Sequence, residues 1–337
     1  MRFLPVLLAG ALALCPTLAG AAGFRFATVP DPDDRPLEVG IWYPTAAPAP
    51  AEPNTPFRQA LALDAPVAGE GLPLVVISHG YGGWLGGHAG TALALAEAGF
   101  VVVAPTHTGN NYEDESYPAA RWMVDRPRHV ARVLDWVLGQ WPGRARLDPK
   151  KIGFFGFSAG AYTGLVAIGG VPNLRLAAEH CRRQPTEVAC TLGIVEALGQ
   201  TTSGGPTAWM HEPRIRSAVL AAVGFGFAFD REGLGNVSAP VQLWAAAADP
   251  HVPGATNTRP VREGLPMTPD YREVAGAGHF VFFLPPCSDP RFQAAEPKVW
   301  AMVCIDAPGF DRAAFQRSFN AEVVGFFRET LKVPAAL

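Results

Sequence analysis

In Gly156-Phe157-Ser158-Ala159-Gly160 a serine hydroxyl stands between two glycines, and this is the part of the sequence best suited to chemistry. The run before it (Ile152, Phe154, Phe155, Phe157) is apolar, and the segment after it is rich in Ala, Leu and Val. That pattern predicts a buried strand, a very tight turn and a helix, with Ser158 at the apex. Reversing from strand to helix at one residue brings the neighbouring backbone into van der Waals contact. Glycines at 156 and 160 remove the side chains that would collide there. The helix also offers free N–H groups and a partial positive charge to an anion forming at the serine. A chain with 36 glycines can reach this spacing by accident, so the serine needs a base, an acid and an oxyanion site in order.

The base must be an imidazole, because a serine hydroxyl is a poor nucleophile at neutral pH. His180, His211, His251 and His279 follow Ser158. His180 adjoins Cys181, His211 precedes a predicted strand, and His251 stands two residues from the best acid, too close to be oriented by it across a site. His279 lies in the small-residue loop AGAGHF (275–280), where glycines let the ring approach the serine. The acid that fixes the ring's tautomer is expected at Asp249, which ends the apolar run VQLWAAAA and so shares a strand's C-terminal edge with Ser158. Asp230 is the runner-up; Asp270 and Glu273 lie at or within a strand. A core histidine and a turn-forming Asp-Pro are the alternative readings of His279 and Asp249.

A developing oxyanion needs two amide donors. One is expected from Ala159, the residue after the nucleophile, and the other from Tyr81 in the loop Ser78-His79-Gly80-Tyr81-Gly82-Gly83. His79 is expected to brace that loop through a structural hydrogen bond. Tyr81, Trp84, Phe157 and Phe280 are candidates for a substrate pocket, with core packing as the alternative for each. Asn110 and Asn111 are candidate substrate contacts on a loop after a strand.

The elements that must position these groups alternate. Two short strands (24–29 and 37–44) are followed by a long Pro/Ala-rich loop (45–71). Buried strands at 72–80 and 100–105 enclose a helix at 88–98, and a helix near 124–139 carries Val130, Val133, Leu134, Val137 and Leu138 on one face. After the Ser158 strand and helix, residues 171–213 lose periodicity and read as a cap-like insertion. Strands at 215–223, 241–247 and 271–274 restore the pattern, and a final helix starts at an Asp311 cap with Phe315, Phe319, Val323, Phe326 and Phe327 inward. Such alternation predicts an α/β protein with a parallel sheet covered on both faces.

The 337 residues suffice for one large α/β domain, here 22–337. Only 17% are charged, the net charge is -3 and no basic block occurs, which argues against nucleic acid as a partner. Arg2, an apolar run to Leu18 and Ala19-Gly20-Ala21 predict a signal peptide over residues 1–21 and an exported protein. Lipoprotein anchoring at Cys15 is disfavoured by Leu14 and Pro16. No later segment has the ~18 apolar residues of a spanning helix. The remaining Cys181, Cys190, Cys287 and Cys304 allow three pairings, and proximity favours Cys181–Cys190 with Cys287–Cys304. Neither spacing suits a zinc site, and no metal or cofactor is expected.

The order strand–SHGYGG, GFSAG, Asp249, GHF resembles the α/β-hydrolase superfamily over most of the chain after the signal. Within it, IWYP, the SHG loop, GFSAGAYT, AGAGHFVFFLPPCS and GFDRAAF are similar to an exported dienelactone hydrolase-like group related to plasma-type platelet-activating factor acetylhydrolase. The resemblance implies the α/β-hydrolase fold, with a mostly parallel central sheet flanked by helices and the insertion after the nucleophile helix. It also implies hydrolysis of a small-molecule or lipid-like ester through an acyl-enzyme on Ser158, His279 and Asp249. Two departures accompany it. True dienelactone hydrolases use a cysteine nucleophile where this chain has Ser158. The acetylhydrolase carries its acid after the earlier strand, where this chain offers no carboxylate until Asp230. An amidase or peptidase on the same residues, and a non-catalytic binding protein on this fold, are the competing expectations.

Overall fold

The computed structural model describes residues 22–193 and 209–334. The expected signal segment 1–21, with Cys15, lies outside the described residues, as do positions 194–208 of the expected insertion. Nine strands form one sheet: β1 (Ala22–Val29), β2 (Leu37–Pro44), β3 (Ala62–Leu63), β4 (Leu72–Ser78), β5 (Val101–Pro105), β6 (Leu147–Phe157), β7 (Ile215–Ala221), β8 (Val241–Ala246) and β9 (Asp270–Val274). Their spatial order is β3-β1-β2-β5-β4-β6-β7-β8-β9. From β5 to β9 every pairing is parallel; β2 runs antiparallel to both β1 and β5. The sheet is therefore mixed but mostly parallel.

The central strands are buried on both faces and alternate between two cores. Leu74 and Val76 of β4, and Ile152 and Phe154 of β6, enter one core. Val75, Ile77, Phe155 and Phe157 enter the other. The first core is covered by α2 (Ala119–Gly139) and α3 (Ala159–Ala167). The second is covered by α1 (Ala89–Glu97) and by the last helix (Arg312–Thr330), which buries Phe319, Val323 and Phe327. Phe315 and Phe326 of that helix are half-buried against the same core. Asp311 caps it by accepting from the Ala314 amide at 2.8 Å. At 25 cal/mol per Å² or so, such two-sided burial is the main stabilising term of the sheet.

Helix α2 starts at Ala119, five residues before the expected 124, and runs through Pro127. Proline removes one helical hydrogen bond, but contacts on both sides of the helix hold it. Asp31, Asp33 and Asp34 in the β1–β2 turn pair with Arg128, Arg132 and Arg121 on its outer side. Within the expected insertion, α4 (Leu174–Arg183) and α5 (Val188–Thr191) are joined by the Cys181–Cys190 disulfide. Short helices α6 (Thr258–Gly264), α7 (Pro290–Ala295) and α8 (Pro297–Cys304) were not foreseen in the sequence. The second disulfide, Cys287–Cys304, ties the end of α8 back to the loop before α7. No helix among the described residues is long and apolar enough to cross a membrane.

Candidate active site

Ser158 occupies the turn between β6 and α3 with φ 55° and ψ -117°, a conformation that L-residues rarely adopt. Such a backbone persists only where its surroundings hold it. The Ser158 N–H donates to the Ala221 carbonyl at the end of β7, and the Ser158 carbonyl accepts from Ala161, Tyr162 and Gly224. The flanking glycines are required by space. A Cβ on Gly156 would lie 2.3 Å from the Gly160 carbonyl oxygen, and one on Gly160 would lie 2.0 Å from that of Ser78.

The loop after β9 and a short 3-10 turn bring His279 beside the serine. Its Nε2 is 3.1 Å from Ser158 Oγ, and its Nδ1 is 2.7 Å from Asp249 Oδ2. The Asp249 side chain is 1% exposed, and its other oxygen accepts from the His251 and Val252 amides at 2.8 and 2.9 Å. An ionised carboxylate only accepts, so His279 Nδ1 carries the proton and Nε2 offers a lone pair to the serine. Such a line can draw the proton from a serine hydroxyl as it attacks a carbonyl. Asp230 lies elsewhere: it accepts from Gly233 N and Asn173 Nδ2 at 2.7 and 2.8 Å, and these bonds hold its carboxyl below the usual range.

No protein-family model matches the chain, and no curated protein matches it in sequence. A solved structure described as a ferulic acid esterase from Streptomyces cinnamoneus does match in three dimensions. The TM-score is 0.64 at 20% identity, over 96% of this chain and 94% of that one. The chain has the α/β-hydrolase fold.

In this α/β-hydrolase fold the loop after β4 lies against the serine. A Cβ on Gly80 would sit 3.5 Å from Ser158 Cβ. The Tyr81 and Ala159 amides make no hydrogen bond to other described groups. His79 braces the loop, as expected. Its Nδ1 donates to the Gly80 carbonyl at 2.7 Å and its Nε2 accepts from the His107 amide at 3.1 Å.

The aromatic candidates separate. Phe157 packs tilted and Phe280 edge-on against the His279 ring, with centroids 4.8 and 4.9 Å away. Trp84 instead packs between Phe57 and Tyr112 on the surface. Asn110 is fully buried behind the loop, and Asn111 spends its side chain on the His107 carbonyl and the Glu113 and Asp114 amides. Neither asparagine hydrogen-bonds to Ser158 or His279. A cavity of about 280 Å³ opens beside the imidazole, bordered by His251, His279, Phe280, Met302 and Ile305. Burial and the neighbouring His279 hold His251 below its ordinary pKa, so it is neutral there at pH 7.

Sequence reasoning missed the polar groups beneath the loop. Ser78 Oγ, His107 and His129 form a chain of 2.9 and 3.2 Å contacts, and Arg126 reaches the loop from α2. A signal existed: Arg126 shares the helical face of Val130, Val133 and Val137, where a charge is out of place. Asp34, Asp125 and His129 bring ligand-type atoms within 4.8 Å of one another. Arg121 already bridges the two carboxylates, which fills the role a cation would take.

Proposed function

We propose that this protein is an exported serine hydrolase that cleaves carboxylic esters through an acyl-enzyme. The observation that carries the reading is the unbroken line Asp249–His279–Ser158, at 2.7 and 3.1 Å, with the serine at the apex of its turn. Ser158 Oγ attacks the ester carbonyl while His279 Nε2 takes its proton, and Asp249 stabilises the imidazolium. The Tyr81 and Ala159 amides receive the oxyanion. The imidazolium then protonates the departing alkoxide, and water repeats the sequence on the acyl-enzyme to release the acid and restore the serine.

The substrate is a small-molecule or lipid-like ester, with one arm in the apolar cavity beside His279 and Phe280. The likeness to a ferulic acid esterase supports an ester over an amide. Two disulfides support an oxidising compartment, and with the leader expected at 1–21 they support export.

The test is turnover of p-nitrophenyl acetate, butyrate and octanoate against matched p-nitroanilides, with organophosphonate labelling read by mass spectrometry. Esters outrunning anilides, with the label on Ser158, is the expected result. Absence of both turnover and label would replace the reading with a binding protein on this fold. Faster anilide cleavage would make it an amidase, and activity surviving Ser158→Ala would remove the serine from the mechanism.

A further inference from the structure

Arg126 is 0% exposed, and among the described residues no carboxylate lies within ion-pair distance of it. A buried charge without a counter-charge is expensive, and proteins retain one where something else uses it. Its accepting partners are backbone carbonyls, and Nη2 also lies 3.3 Å from His79 Nδ1, which itself donates to the Gly80 carbonyl. Nη1 donates to His79 O at 2.7 Å, and Nη2 donates to Gly80 O at 2.9 Å and Asn110 O at 3.3 Å; Nε has no partner. Burial pushes its pKa down to about 9, which still leaves it charged at neutral pH.

The Gly80 carbonyl belongs to the same peptide unit as the Tyr81 N–H. In a trans peptide the two point in opposite directions, and no cis peptide occurs among the described residues. Three donors converge on Gly80 O from one side: Arg126 Nη2, His79 Nδ1 and the Gly83 amide. The Tyr81 N–H is thereby turned to the other side of the peptide. A Cβ on Gly80 would reach the Ser158 side chain at 3.5 Å, so this peptide lies next to the nucleophile.

Resting on the ester-hydrolase reading, we infer that Arg126 is a positioning residue for the oxyanion site, aiming the Gly80–Tyr81 peptide and polarising its N–H. A cation on the carbonyl draws electron density from the amide and makes its N–H a stronger donor. Among the described residues no carboxylate pairs with the guanidinium. The tetrahedral intermediate supplies an anion a peptide's width away, so the attraction appears only as charge develops. A group that acts on the transition state and not on the bound ester alters kcat and leaves KM in place.

The test compares wild type, Arg126→Gln and Arg126→Lys on p-nitrophenyl acetate, with thermal melts to identify folded variants. Binding of a trifluoromethyl ketone, which forms a tetrahedral anion on serine, is measured beside it. For Arg126→Gln the expected result is a fall in kcat of about 10²-fold or more with KM within about threefold, and a matching loss of ketone affinity. Arg126→Lys keeps the charge but loses the planar two-pronged donor, and is expected to recover about tenfold of that loss while staying below wild type in kcat. Should the glutamine variant not fold, the lysine variant decides: a loss confined to kcat supports the inference, and wild-type kinetics overturn it. A folded glutamine variant with unchanged kcat, or with kcat and KM worsened together and no rescue by lysine, also overturns it. If wild type neither turns over ester nor takes phosphonate at Ser158, the ester-hydrolase reading fails and takes this inference with it.

Discussion

Asp249 meets His279 through a single oxygen, Oδ2 at 2.7 Å from Nδ1, while its other oxygen is held by the His251 and Val252 amides. The carboxylate cannot rotate without breaking two backbone bonds, so the imidazole's proton is pinned to Nδ1. Asp249→Asn keeps the shape but presents a donor where an acceptor is needed. The expected outcome is a fall in kcat of about 10⁴-fold on p-nitrophenyl acetate with a nearly unchanged melting temperature. Stopped or steady-state kinetics on the purified variant check it.

The buried imidazoles make the fold acid-sensitive. Burial holds His88 down to about 4 and His129 to about 3. It also holds His79 and His107 well below their ordinary range, with the Arg126 charge adding to the effect. In the unfolded chain these rings titrate near pH 6.5. Their folded pKa values are depressed, so the unfolded state binds more protons as pH falls. Stability is fully present above about pH 6.5 and drops below it, down to about pH 4 for His88 and about pH 3 for His129, by about 1.4 kcal/mol per pH unit for each imidazole. Urea midpoints at pH 7.5, 6 and 5 should fall in step, and His129→Gln should flatten the slope by one imidazole's share.

Two glycines in helices should respond in opposite ways to alanine. At Gly160 the new Cβ would meet the Ser78 carbonyl at 2.0 Å, a backbone atom that cannot yield without moving the oxyanion loop. Gly160→Ala is expected to cost at least about 3 kcal/mol or to abolish folding. Gly90, exposed in α1 with open space around it, should gain about 0.5–1 kcal/mol as alanine. Chemical denaturation of both variants decides the matter.

The Cys287–Cys304 bridge closes a 17-residue separation and fixes the segment that brings Met302 and Ile305 to the cavity beside His279. Replacing both cysteines by alanine should lower stability by about 3 kcal/mol. It should also raise KM for p-nitrophenyl octanoate more than for the acetate, because only the longer chain reaches that wall. Equal changes for both esters would argue against contact there.

Much of the architecture was legible because it is local. The apolar run to Phe157 and the glycines around Ser158 announce a strand and a crowded turn, and both stand as expected. So does the Asp311 cap of the last helix. Cys181–Cys190 and Cys287–Cys304 followed from short separations. The misses depend on contacts distant in sequence. The first turn of α2, before the expected 124, is tied by Arg121 to Asp34 in the distant β1–β2 turn, a contact that local periodicity does not show. Helices α7 and α8 are short and bury almost nothing, only Val303 between them, so they carry a bridge and a cavity wall more than a core face. Trp84 and Asn110 carry suitable chemistry in suitable loops, yet packing turns one toward Phe57 and buries the other. Arg126 was visible as a misplaced charge, but its purpose needed the position of the Gly80 carbonyl.

One consequence follows from the order β6-β7-β8-β9. Ser158, Asp249 and His279 each leave the sheet at the end of a strand, and β7 fills the gap between the first two while its Ala221 carbonyl holds the serine's amide. Adjacent strands are spaced about 4.8 Å apart by their hydrogen bonds, so the ladder acts as a ruler for the three side chains. The connections between strands do not set that distance. Loops between these strands can therefore change length, as a tool holder accepts different bits, without re-measuring the three side chains.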